Sequence, residues 1–329
     1  MIPLKEIDNI VEKAIISTSF KGDPDTLYTP FEYMMSIGGK HIRPKLCLNI
    51  YNLFSDRIEM TEIYPALALE IFHEFTLVHD DIMDKSDTRR GVPTVHAKWG
   101  DNAAILSGDV MSICSYKYIA LASPDKLPLL LNVFSDTAVK ICEGQQYDMD
   151  FEKMKYVTPD DYLKMIGLKT AVFLGCAAKM GAILAGRSEK ECDVFYQFGY
   201  QIGIAFQITD DYLDTFGNQQ IFGKKIGGDI TNNKKTWLLI DAQRHASKEE
   251  QQILDRAIAS EYEFGSELAS QKIAEVTDVY LRLGVKERTQ AAINEYHSKA
   301  MDAVSGIDLS KDQLVQLNSI AEQLIYREK

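Results

Sequence analysis

Apolar residues recur every three or four positions along almost the whole chain, the spacing of helices that bury one face. In 63–83, Ile63, Ala66, Leu67, Leu69, Ile71, Phe72, Phe75 and Val78 cover nearly the whole helix surface, which predicts a helix at the centre of a core. Segments 101–122, 127–143, 170–185 and 190–214 read the same way. Segments 248–262, 266–283, 286–303 and 311–327 carry more charge and read as outer helices. Thr158-Pro159-Asp160-Asp161 offers an N-cap, a proline at the first helical position and an acidic first turn. Ser247 with Glu250, and Ser310 with Gln313, fit capping boxes. No Gly-, Ser- or Pro-rich linker divides the chain, so the pattern predicts a single all-α domain over 1–329, a bundle of ten or more helices.

Composition narrows the picture. The chain has 329 residues, 36 Lys+Arg against 48 Asp+Glu, and a net charge of −12. That balance argues against a general nucleic-acid binder, which needs a basic face, but leaves room for a small basic site. Nine prolines and 20 glycines are few for this length and favour helices over a many-turned β fold. Five irregularly spaced cysteines (Cys47, Cys114, Cys142, Cys176, Cys192) form no CxxC pair and read as reduced thiols of a cytoplasmic protein. Met1–Lys21 mixes charge into its apolar positions and lacks the apolar stretch of a signal peptide. No apolar run approaches the length of a membrane span, so none is expected.

Two short motifs carry the chemistry. Asp80-Asp81-Ile82-Met83-Asp84 and Asp210-Asp211-Tyr212-Leu213-Asp214 are both DDxxD at the end of a strongly apolar helix. The i, i+4 spacing puts Asp80 beside Asp84 and Asp210 beside Asp214, where like charges repel. Helix C-termini also disfavour negative charge. Two clusters so poorly placed for stability point to divalent cations, and hard oxygen donors without a Cys/His set point to Mg²⁺. The flanks are basic and glycine-rich: Gly38-Gly39-Lys40-His41-Ile42-Arg43-Pro44, then Lys85-Ser86-Asp87-Thr88-Arg89-Arg90-Gly91, then Phe222-Gly223-Lys224-Lys225-Ile226-Gly227-Gly228-Asp229 with Lys234-Lys235 beyond. Glycines admit a phosphate close to the backbone and Arg forks bind its oxygens in pairs, so a diphosphate substrate fits both features.

From Gly38 to Trp237 the chain resembles the trans-isoprenyl diphosphate synthases (polyprenyl synthetases), of the short- or medium-chain type. GGKHIRP, LVHDDIMDKSDTRRGVPTVH, LSGD at 106–109, Glu143-Gly144-Gln145, Lys169-Thr170, GIAFQITDDYLD and FGKKIGGD follow in matching order. The resemblance implies an isoprenoid synthase-like helical bundle around a deep apolar cavity. It implies a Mg²⁺-dependent prenyltransferase that joins isopentenyl diphosphate to an allylic diphosphate (dimethylallyl, geranyl or farnesyl), as a homodimer. By matching position, Asp80, Asp81, Asp84 and Asp210 would hold the metals, with Asp211 and Asp214 acting directly or through water. Arg89, Lys169, Lys224 and Lys234 would grip the allylic diphosphate, with Lys225 and Lys235 as alternatives in register. Lys40, Arg43, His73 and Arg90 would grip isopentenyl diphosphate. Thr170 and Gln207 would turn oxygen dipoles toward the allylic cation, and released pyrophosphate would take the proton. His79 and His96 read as structural, and Glu143-Gly144-Gln145 as either a polar network or a helix kink.

In the resembling family, bulk just before the first motif floors the product tunnel. Phe75 stands five residues before Asp80, without a second aromatic beside it and without the two-residue motif insertion common in bacterial farnesyl synthases. Phe72, Tyr116 and Tyr118 could add bulk, and a C15–C20 product is expected. A terpene cyclase or squalene-type synthase is the first alternative, disfavoured by the matching DDxxD motifs and by Lys40 and Arg43. A non-catalytic subunit of a heteromeric synthase is the second, disfavoured because all six aspartates are present.

Overall fold

The computed structural model describes residues 1–217 and 226–326. It is helical almost throughout, as the periodicity predicts. In chain order the elements are α1 (Leu4–Ser17), α2 (Asp25–Ser36), α3 (Ile42–Asn52), α4 (Met60–Met83), strands β1 (Thr88–Arg89) and β2 (Val92–Pro93), α5 (Val95–Trp99), α6 (Asp101–Ile119), α7 (Leu127–Glu152), α8 (Pro159–Ile166), a π-helical turn (Gly167–Ala171), α9 (Val172–Leu184) and α10 (Glu189–Phe216). After these come α11 (Gly228–Thr231), α12 (Trp237–His245), α13 (Lys248–Ile258), α14 (Glu267–Arg282), α15 (Val285–Val304) and α16 (Lys311–Ile325). They sort into two compact units: 1–136 with 176–196, and 137–175 with 197–329.

The first unit is built on α4, which packs against α6 and α3. Leu67, Ala68, Leu69, Ile71, Phe72 and Val78 of α4 are all buried, as expected for a central helix. Glu70, Glu74 and Asp81 are buried on the same helix. Gly181 of α9 lies flush on α3, where a Cβ would stand 2.2 Å from the Cys47 carbonyl oxygen. The all-α pattern misses one feature, the antiparallel hairpin pairing Thr88 with Pro93 and Arg89 with Val92. Its turn residues Arg90 and Gly91 both have positive φ, the geometry that matches strand twist in a two-residue hairpin.

In the second unit, Ile230, Leu238, Leu239, Ala242, Leu254, Ala257, Val276, Val279, Tyr280 and Val285 form a core shared by α11 to α15. The charged helices are therefore outer helices with one buried face. The caps fall where the sequence puts them. Thr158 Oγ1 accepts from Asp161 N, and Ser247/Glu250 and Ser310/Gln313 form reciprocal capping boxes. The stretch Pro159–Leu184 is long and apolar enough to pass as a membrane span, which the sequence reading overlooked; 83% of its most apolar window is buried inside the fold. All five cysteines are free thiols.

Candidate functional site

In the first unit one helix organises the candidate residues. At about 100° per residue, His73, Thr76, Asp80 and Asp84 fall along one stripe of α4, and Glu70, Glu74 and Asp81 along another. The second stripe is almost fully buried, with Glu70 1% and Glu74 and Asp81 2% exposed. Each of its acids holds a basic residue from a flanking loop. Glu70 Oε1 lies 2.7 Å from His41 Nδ1, and Glu74 Oε1 accepts from Arg90 Nη2 at 3.0 Å. Asp81 takes the Arg89 fork in parallel, from Nε at 2.8 Å to Oδ2 and from Nη2 at 2.8 Å to Oδ1.

This changes the reading of the first motif. Burying a carboxylate costs several kcal/mol unless a well-matched partner offsets it, and a bidentate Arg is such a partner. Burial would lower the Arg89 pKa, but the bonds and charge of Asp81, with the charges of Asp80 and Glu74, more than reverse it, so the guanidinium stays charged. The oxygens of Asp81 are thus engaged by protein, whereas Asp80 is half-buried and Asp84 exposed at the helix end. Asp81, expected as a metal ligand, also anchors Arg89.

The hairpin and the Gly38–His41 turn place the remaining cations. Gly38 and His41 have positive φ, and Arg90 Nη1 donates to the Gly38 carbonyl. A Cβ on Gly39 would come within 3.1 Å of the Arg90 guanidinium, so the glycine lets the turn lie against it. Lys40 follows in that turn, and Arg43 sits in the first turn of α3. His73 is held neutral: burial and then the charges of Arg43, Arg90, Arg89 and His41 push its pKa well below the usual imidazole range. His79 and His96 are structural as expected, bonded to the carbonyls of Ile105 and Ser86. Phe75 contacts Phe72 edge-on at 5.1 Å; Phe72 meets Phe134, and Phe134 meets Tyr116, at the same distance.

In the second unit Lys169 and Thr170 lie in the π-helical turn, a feature often found at functional sites. Three glycines let neighbours close on it. A Cβ on Gly144 would stand 2.2 Å from Lys169 N, on Gly203 2.5 Å from Ala171 Cα, and on Gly167 2.4 Å from the Tyr200 hydroxyl. Gly144 is therefore a place of close approach; α7 runs on through it from Leu127 to Glu152. Lys169 Nζ pairs with Asp148 at 2.6 Å, a partner the sequence did not suggest.

A relay joins the polar residues. Thr170 Oγ1 donates to Gln207 Oε1 at 3.0 Å, and Gln207 Nε2 donates to Asp211 Oδ1 at 3.2 Å. Asp211, 5% exposed, also accepts from Tyr162 Oη at 2.5 Å and Trp237 N at 2.9 Å. Burial pushes its pKa up to about 6 despite these donors, with the charge of Asp210 adding to the rise. Asp211 thus parallels Asp81: the middle aspartate of each motif turns inward and serves the protein. Asp214 Oδ2 accepts from Asp229 N at 2.9 Å, tying the motif to the start of α11. Lys234 is exposed, whereas Lys235 is buried with Nζ 3.5 Å from the Asn233 carbonyl oxygen. Lys224 and Lys225 lie outside the described residues.

Among the described residues no group of three or more His, Cys, Asp and Glu side chains is gathered to hold a metal by itself. Mg²⁺ does not need such a cage, since it usually binds through one or two carboxylates together with substrate phosphates and water. Asp80 with Asp84, and Asp210 with Asp214, fit that demand in donor chemistry and spacing. Asp81 and Asp211 carry oxygens that also accept hydrogen bonds from protein donors.

The polyprenyl synthetase family profile matches residues 24–276. The short chain isoprenyl diphosphate synthase of Methanothermobacter thermautotrophicus is 34% identical over 327 residues, covering 99% of this chain and 98% of its own. A geranylfarnesyl diphosphate synthase of Aeropyrum pernix is 32% identical over 315 residues, covering 93% and 96%. A crystal structure of a geranylgeranyl pyrophosphate synthase matches all of both chains with a TM-score of 0.93 at 39% identity. The chain belongs to the polyprenyl synthetase family, and it is a prenyltransferase of that family.

Proposed function

We propose that the protein catalyses Mg²⁺-dependent head-to-tail condensation of isopentenyl diphosphate with an allylic diphosphate, releasing pyrophosphate and a trans-prenyl diphosphate. The product expected from Phe75 is C15–C20. Relatives named for geranylgeranyl (C20) and geranylfarnesyl (C25) products favour the upper end of that range or one isoprene unit beyond it. The observation that carries the reading is the pair of DDxxD motifs, each in the last turns of a long helix and flanked by Lys and Arg, whose Asp80, Asp84, Asp210 and Asp214 would serve as metal donors. Bound there, Mg²⁺ would supply positive charge for the departing pyrophosphate.

The chain's own residues do the rest. Arg89, Lys169, Lys234 and Lys224 bind the allylic diphosphate while its C1–O bond breaks and the electron pair leaves on pyrophosphate. Arg89 does so in an orientation fixed by Asp81. Because Thr170 spends its proton on Gln207, its oxygen presents lone pairs toward the allylic carbon as positive charge develops. Lys40, Arg43, Arg90 and neutral His73 orient isopentenyl diphosphate, whose double bond attacks the allylic C1. A proton then leaves C2 to the released pyrophosphate. We further propose one synthase domain over 1–329, a cytoplasmic location, and a homodimer. The exposed Ile105, Leu106 and Ile113 on α6 support the last.

The test is incubation of labelled isopentenyl diphosphate with dimethylallyl, geranyl or farnesyl diphosphate, with Mg²⁺ or with chelator, followed by chromatographic sizing. Elongation to C15–C20 with Mg²⁺ alone is expected. Asp80→Ala should lower kcat about 100-fold or more. Products of C30 or longer would sink the chain-length reading, and full activity of Asp80→Ala would overturn the first metal site.

A further inference from the structure

Glu74 has no place in the roles above. Its Oε1 accepts from Arg90, and its Oε2 is buried without a hydrogen-bond partner among the described residues. A half-satisfied carboxylate inside an apolar helix costs stability, and an aliphatic side chain would fill the space without that cost. Its one polar contact is therefore the informative one. Arg90 is held from two more directions, by the Gly38 carbonyl and by the flat approach of Gly39. Its backbone is fixed in the hairpin turn with φ 53°. The guanidinium thus clips together α4, the hairpin and the glycine turn that carries Lys40. It is still 28% exposed at the side chain, so a ligand can reach it.

We propose that Glu74 is a positioning residue of the isopentenyl diphosphate subsite, fixing Arg90 against the Gly38-Gly39 turn so that Arg90 and Lys40 meet the diphosphate together. This rests on the reading of Arg90 and Lys40 as isopentenyl diphosphate ligands. The effect is selective for one substrate because Arg89, assigned to the allylic diphosphate, has its own anchor in Asp81. Burial and the neighbouring charge of Glu70 push the Glu74 pKa up to about 7, with Arg90 and Arg89 opposing the rise. A neutral acceptor of the same length is therefore a close substitute, which makes glutamine the conservative variant.

Steady-state kinetics with each substrate varied in turn test the proposal on Glu74→Leu, Glu74→Asp and Glu74→Gln, with folding checked by circular dichroism. Glu74→Leu should raise KM for isopentenyl diphosphate about 10-fold, with kcat and the allylic KM within about twofold of wild type. Glu74→Gln should stay near wild type. Should the Leu variant not fold, Glu74→Asp carries the test, since one methylene less breaks the reach to Arg90 and raises the same KM. An unchanged isopentenyl KM in the folded variants, or an equal rise in both KM values, overturns the proposal. Wild-type enzyme that shows no isopentenyl-dependent turnover with any allylic partner overturns the functional reading itself, and this assignment with it.

Discussion

Seven residues apart on one helix, Glu74 and Asp81 each give their charge to an arginine of the neighbouring hairpin. The sequence shows that acids i and i+4 on an apolar helix need partners, and this was read from Asp80 and Asp84. The same spacing in Glu70 and Glu74, within the apolar stretch of α4, carries the same signal. What the sequence could not show is which aspartate of a motif turns inward. One position is about 100° of rotation, and only the burial of that face decides whether a carboxylate meets protein or solvent. Phe75 is a residue-scale test of product length. It stands at the edge of an aromatic chain running through Phe72 and Phe134 to Tyr116. Phe75→Ala removes bulk without touching a charge, and the main product should lengthen by at least one isoprene unit when sized by chromatography. An unchanged product would place the floor at the deeper, buried Phe72.

Among the elements, the long helices and their caps were legible because amphipathic period and capping chemistry are local. The hairpin was not, since two-residue strands are too short to display an alternating pattern. The π-helical turn was not, because it depends on what packs around it. Gly144, Gly167 and Gly203 come from three separate segments, and each clears space for one neighbour. From sequence, a glycine in mid-helix reads as a weak point or a kink; here it is a contact surface. Gly144→Val would drive methyl groups into the Lys169 backbone. Overpacking of that kind costs about 1–3 kcal/mol. It should also shift Lys169 and Thr170, so kcat should fall more than either KM. A melting curve and kinetics on the same preparation check this, and a variant with wild-type stability and kcat would show that the close approach is dispensable.

For the molecule as a whole, the net charge of −12 takes on a local meaning. Six motif aspartates account for half of it, and they stand beside Lys and Arg. Metal and diphosphate together should therefore stabilise the fold more than either alone, since each supplies the charge the other lacks. At ligand concentrations about 100 times Kd the gain is about 2.7 kcal/mol, which for a chain of this size raises Tm by about 4 °C. Thermal melts with Mg²⁺, with inorganic pyrophosphate and with both check it, and equal shifts for Mg²⁺ alone and for the pair would argue against a shared site. The family profile ends at residue 276, within α14. The helices beyond it are predicted by periodicity and the Ser310/Gln313 capping box, and they add Val285 to the core of the second unit.

The sequence by itself determined the all-α architecture, the helix boundaries marked by caps, both aspartate motifs and the basic residues around them. Those features follow from periodicity, capping and charge, which act within a few residues. The tertiary structure decided which acids are anchors: Glu70, Glu74, Asp81 and Asp211 each have a partner between 8 and 49 positions away. It also decided why the glycines stand where they do. Both depend on burial, which is set by the packing of segments distant in the chain and not by any local pattern.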